Sequence, residues 1–104
     1  MMISVSVTYS VKPEFVELNK QNIAVFLSDF KELRSTIFFY NVYVKQDGLT
    51  FVHFSMYECA EIQNTILSVP SFIEFQRNRD ESGLLAEPVI EVLDHLGSSL
   101  AKLV

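Results

Sequence analysis

The chain has 104 residues, a formal net charge of −5 and 49% apolar types, with nine Phe, four Tyr, no Trp and only three Gly. That length fits a single domain over residues 1–104 and leaves no room for two. High aromatic content with modest charge excludes a disordered chain, and no run approaches the roughly 18 apolar residues of a membrane span.

The acidic balance argues against a nucleic-acid partner, which demands dense Lys and Arg. The nearest basic cluster, Arg77 and Arg79, is followed at once by Asp80 and Glu81. The opening MMISVSVTYSVK lacks the basic stretch and apolar run of a secretory signal. Cys59, the sole cysteine, cannot close an internal disulfide. Both observations lead us to expect a reducing, cytoplasmic setting.

Residues 3–9 alternate: Ile3, Val5, Val7 and Tyr9 fall on one side, Ser4, Ser6 and Thr8 on the other. That is the period of a strand with one apolar face. Pro13 opens a helix, where its missing N–H is not needed. Phe15, Leu18, Asn22, Val25, Phe26, Phe30 and Leu33 give that helix one stripe as far as about residue 33. Asp29, Glu32 and Arg34 near its end read as surface charges.

Residues 36–45 and 49–57 are β-branched and aromatic, and so read as strands. Asp47-Gly48 between them marks a hairpin, since Gly48 accepts positive φ. Both faces of this hairpin are apolar: Phe38, Tyr40, Val42 and Val44 on one, Ile37, Phe39 and Tyr43, interrupted by Asn41, on the other. A sheet covered by helices on one side needs only one apolar face, so the second wants a partner.

A helix over 58–67 carries Cys59, Ile62 and Ile66 and is broken at Val69-Pro70. A second segment follows, with Phe72, Phe75, Gln76 and Arg79 on one face, and stops at Ser82-Gly83. Pro88 begins the last strand, over 88–95, where its lost donor is tolerable. The tail GSSLAKLV is short and semi-apolar. The order predicts a ferredoxin-like α+β fold: an antiparallel four-stranded sheet with helices on one face.

The stretch from Phe51 to Val92 is more specific. It has a strand ending in the aromatic Tyr57, a short helix, Pro70 followed by Phe72 with Phe75 behind it, another short helix and a strand. With Val11-Lys12-Pro13 at the start of helix one, it resembles the antibiotic-biosynthesis monooxygenase-like family of the dimeric α+β barrels, over roughly residues 3–95.

The resemblance implies a homodimer in which two sheets pack through their open faces as a dimeric α+β barrel. It also implies a cofactor-independent monooxygenase acting on a small aromatic or quinone-type metabolite. Ser55 stands where relatives often carry a glutamate, and Tyr57 where they often carry Trp. Haem-degrading relatives use an asparagine in strand one, an iron-binding histidine and a Trp. Strand one here offers Ser4, Ser6 and Thr8, and there is no Trp, so no cofactor is expected.

His53, Tyr40 and Tyr57 are the candidate catalytic residues. A histidine can move a proton near neutral pH or ligate a metal; the plain alternative is a packed histidine held by a hydrogen bond. His95 has no partner at metal-ligand spacing, so no metal is expected. Cys59, between acidic neighbours, is expected to pack as a small apolar side chain. Tyr9, Tyr40, Tyr43 and Tyr57, with Asn22, Asn41 and Asn64, could line a flat pocket and hold a phenol or quinone oxygen.

The oxygenase reading expects an enclosed pocket of roughly 300 Å³ or more between sheet and helices, with His53 or a tyrosine pointing into it. A non-catalytic dimeric ligand-binding or structural domain of the same fold would instead fill that space with the same side chains.

Overall fold

The computed structural model describes residues 2–33 and 38–99. Four strands, β1 (Ile3–Ser10), β2 (Phe38–Val44), β3 (Thr50–Tyr57) and β4 (Val89–Leu93), form one sheet in the order β2-β3-β1-β4. All three pairings are antiparallel. A 3₁₀ turn at Pro13–Phe15 leads into α1 (Val16–Lys31). Helices α2 (Ala60–Leu67) and α3 (Pro70–Asn78) follow β3, and a π turn at Arg79–Gly83 leads back toward β4. This is the ferredoxin-like arrangement the element order predicts. Arg34, Thr36 and Ile37 of the sequence reading, and the tail from Leu100 onward, lie outside the described residues.

Strand parity decides which side chains enter the core. On β3, Phe51, His53, Ser55 and Tyr57 face the helices and are buried. On β2 the helix-facing set is Phe38, Tyr40 and Val42, and on β1 it is Ile3, Val7 and Tyr9. The hairpin between β2 and β3 turns as the sequence implies. Gly48 has φ +72°, and Asp47 Oδ1 accepts the N–H groups of Leu49 and Thr50 at 2.8 Å each.

Helix α1 differs from the expected stripe. Its buried residues are Asn19, Ile23, Phe26 and Phe30, while Leu18 and Val25 are exposed. Residues 15, 19, 23, 26 and 30 make the stripe, at spacings of a 3.6-residue helix. The benefit is an interlocked aromatic core. Phe26 lies 5.1 Å from Phe30, 5.0 Å from Phe72 and 4.9 Å from Phe75, centroid to centroid, in tilted and edge-on geometries. Such arrangements suit the ring quadrupoles and add to burial.

Cys59 departs from its expected place. It is exposed, because it flanks the start of α2 in extended backbone (φ −157°) rather than on the packed face of the helix. No helix among the described residues is long and apolar enough to cross a membrane.

Candidate functional site

The sheet register places two tyrosines diagonally about one histidine. His53 pairs with Val7 on β1 and with Val42 on β2. Tyr9 is opposite Phe51, and Tyr40 is opposite Ser55. Diagonal neighbours on one face of a sheet are about 7–8 Å apart, within reach of long side chains. Tyr9 Oη lies 2.7 Å from His53 Nε2, and Tyr40 Oη lies 2.8 Å from His53 Nδ1. Asn19 on α1 closes the far end, its Nδ2 donating to Tyr9 Oη at 3.1 Å.

The donor count gives this chain a direction. Tyr9 Oη accepts the Asn19 N–H, and His53 Nε2 is the one acceptor among the described residues for its own proton. A neutral imidazole has one donor and one acceptor nitrogen, so Nδ1 carries the proton and donates to Tyr40 Oη. The Tyr40 hydroxyl proton is then the free end. At the other end the carbonyl oxygen of Asn19, buried with the rest of the side chain, has no partner among the described residues.

Rings close over the middle of the chain. Phe75 stacks on His53 at 5.4 Å, Tyr40 meets it edge-on at 5.7 Å, and only 2% of His53 is exposed. Burial, and behind it the Arg79 charge, push the imidazole pKa down to about 3. His53 therefore stands as a neutral hydrogen-bond link, not as a group poised near neutral pH. Burial raises Tyr9 to about 12, against the opposing pull of Asn19 and Arg79. It raises Tyr40 further, with Tyr57 and Tyr9 adding to the rise.

Tyr57 shares the helix-facing side of β3 and is buried. No hydrogen bond joins it to the chain, and burial raises its hydroxyl pKa, opposed by Ser55. Thus two of the three sequence candidates, His53 and Tyr40, meet directly, and Tyr57 stands apart from them.

The other candidates scatter. Tyr43 is exposed and accepts a hydrogen bond from Asn41 Nδ2 at 3.2 Å. Asn64 is exposed on α2. Asn22 Nδ2 is buried without a partner among the described residues. His95 lies past the end of β4, and no group of three His, Cys, Asp or Glu side chains among the described residues could hold a metal.

Two residues at the site, Asn19 and Arg79, are not among the candidates that the sequence singles out. Asn19 sits in the apolar stripe of α1, where a polar residue is easily passed over. Arg79 shares a face with Phe72 and Phe75, one turn further on, yet is only 7% exposed.

The space expected around His53 is filled by Phe26, Phe72 and Phe75. Open volume lies to the side instead. A cleft of about 250 Å³ is lined by Leu27, Phe30, Lys31, Phe38, Tyr40 and Asn41. A second, of about 200 Å³, lies between α1 and the outer part of the hairpin, with Lys20, Tyr43 and Phe51 among its walls. Both are open to solvent. Tyr40 is the one member of the hydrogen-bonded chain that lines either cleft.

No family model and no curated protein matches the chain in sequence. Solved structures match its fold. A structure described as an antibiotic biosynthesis monooxygenase superposes with a TM-score of 0.79 at 12% identity, covering 93% of this chain and all of the other. A Mycobacterium tuberculosis protein gives 0.80 at 15% identity, covering 96% of this chain and 100% of its own. A variant of SnoaB, a cofactor-independent oxygenase from Streptomyces nogalater, gives 0.71 at 8% identity, covering 94% of this chain and 96% of the other. The likeness bears out the sequence resemblance at the level of the fold.

Proposed function

We propose that the chain is an antibiotic-biosynthesis monooxygenase-like domain that oxidises a small phenolic aromatic without a cofactor. The supporting observation is the directed chain from Asn19 through Tyr9 and His53 to Tyr40, ending at a residue that lines an aromatic cleft. In this reading Tyr40 is the catalytic donor. Its free proton meets the ligand's oxygen, and the three groups behind it polarise that hydroxyl, since linked hydrogen bonds strengthen one another. His53 and Tyr9 are positioning residues. A neutral imidazole with a pKa near 3 is a poor proton acceptor, so the substrate must be acidic enough to ionise with only oxyanion stabilisation. Tyr57 packs beneath the site.

The chemistry balances without a metal or flavin. The ionised phenol gives electrons to dioxygen, and its para carbon forms a C–O bond. Loss of the para C–H proton then breaks the O–O bond and releases the second oxygen as water. A naphthol plus O₂ thus gives a naphthoquinone plus water. Oxygen uptake with 1-naphthol and related naphthols that carry a hydrogen para to the hydroxyl tests the reading. One O₂ per quinone is expected, with Tyr40→Phe slower by about 10²-fold, the scale of a lost oxyanion donor. No protein-dependent uptake across the panel would overturn it.

A second reading, a non-catalytic ligand-binding domain, is favoured by the closure of rings over His53. It expects saturable binding of the same phenols with no uptake. In both readings the chain works as a homodimer through the open sheet face, in a cytoplasmic setting. Phe39 and Phe54 lie on that face, in edge-on contact at 6.0 Å and only partly covered. Light scattering during gel filtration should give twice the chain mass.

A further inference from the structure

Among the described residues Arg79 is the one charged side chain the core encloses, and the proposed reaction gives it no task. It follows α3 and is 7% exposed. Its guanidinium carbon lies 5.0 Å from the Tyr9 ring centroid and 5.3 Å from that of Phe75, within the range of a cation–π contact. Only Nε–H has a partner among the described residues, Asp80 Oδ1 at 3.0 Å. Asp80 is the adjacent residue and its side chain is half exposed.

Arg77, two positions earlier, is a useful contrast. It is half exposed and is held by Glu74 and Glu81, so its donors are committed. Arg79 is buried and keeps its terminal Nη pair uncommitted. That pair is the planar fork that binds a carboxylate through two parallel hydrogen bonds. The Tyr9 and Phe75 rings hold the guanidinium in place, and the half-exposed Asp80 meets only one edge of it.

We propose that Arg79 is the anchor of a second ligand site, taking a small planar carboxylate on its Nη fork at the Tyr9 end of the hydrogen-bonded chain. The site is separate from the Tyr40 cleft, whose walls do not include Arg79. It stands whether or not the chain oxidises anything. Its occupant would also be felt at the chain. The Arg79 charge works against protonation of His53 and favours the ionised form of Tyr9, so a bound carboxylate offsets both effects. A filled Arg79 site thus makes His53 easier to protonate and Tyr9 harder to ionise.

The test is an NMR titration of the full chain with sodium acetate, and with acetamide as the neutral probe of similar shape, at ionic strength held constant with sodium chloride. The readouts are the arginine side-chain N–H resonances and the His53 ring. Acetate is expected to shift the Arg79 signal saturably and the Arg77 signal hardly at all, with acetamide at least about tenfold weaker, equivalent to about 1.4 kcal/mol. The His53 ring should move along the same binding curve. Arg79→Lys should weaken the response, and Arg79→Gln should abolish it in a protein that still melts cooperatively.

Equal responses to acetate and acetamide, or an unmoved Arg79 signal, would overturn the site. If Arg79→Gln fails to fold, the wild-type comparison of the two probes still decides. Acetate binding without oxygen uptake would sink the oxygenase reading and leave this site standing.

Discussion

The helix-covered half of the sheet and the β4 edge are built from similar apolar residues and treat them in opposite ways. Around His53, Phe26, Phe72 and Phe75 close in on one another, and Asn19, Tyr9, His53 and Tyr40 are joined in one hydrogen-bonded chain. Along β4, Ile90 is 67% and Val92 77% exposed, and Val89 is exposed too. Their neighbours on β1 are Val7, Val5 and Thr8. The first half is complete within one chain. The second has the composition of a core and nothing over it among the described residues; Val89, beside Thr8, lies on the open face and supports a partner copy there, while Ile90 and Val92 share the side of Val7 and Val5. Apolar content therefore has two destinations in this protein, and only the first builds the candidate site.

Substitutions should separate the two halves cleanly. The largest effect is expected in the covered half: Phe26→Ala removes a ring that touches five others and should cost about 3–5 kcal/mol in urea unfolding. A loss below about 1 kcal/mol would mean that the packed half is looser than described. His53→Leu should cost somewhat less, about 2–4 kcal/mol, because it leaves the Tyr9 and Tyr40 hydroxyls buried without their shared partner.

The pH dependence belongs to the same half. His53 binds a proton more weakly in the folded chain (about 3) than in the unfolded one (6.5). Between those values the unfolded state holds more protons, so stability rises with pH. The contribution is fully present above about 6.5 and is lost as pH falls toward 3, with a slope of up to about 1.4 kcal/mol per pH unit. Urea midpoints from pH 7 to 4 should show this slope in the wild type and lose it in His53→Leu.

The smallest effect on chain stability is expected at the edge. Val89→Glu, on the open face beside Thr8, should change single-chain stability by no more than about 0.5 kcal/mol, yet should shift the mass in light scattering from dimer toward monomer. Unchanged mass would place the dimer contact elsewhere than β4.

Much of this arrangement was legible in the sequence, and the gaps have physical causes. Strict alternation in residues 3–9 and the Asp47-Gly48 turn fix the strands, and parity on β3 puts His53 beside Phe51. What spacing along the chain does not carry is register between strands, and register is what sets Tyr9 and Tyr40 diagonally about His53. Asn19 was hidden because the buried stripe of α1 runs through residues 19, 23, 26 and 30 rather than through Leu18 and Val25, and a polar side chain there does not read as core. Among the described residues the space expected at His53 is taken up by Phe72 and Phe75, read as one apolar helix face, which reach across to Phe26. Arg79 was placed on the right face, but a charge near a helix end reads as surface, and only the packing of Tyr9 and Phe75 shows it buried.

The central claim is a neutral His53 linking two tyrosines in a fixed direction. Nitrogen NMR of the imidazole ring across pH tests it most directly. The account predicts a single neutral tautomer with the proton on Nδ1, shared with Tyr40, persisting from pH 8 down to about 4. A ring that titrates near pH 6.5, or one that carries its proton on Nε2, would contradict it.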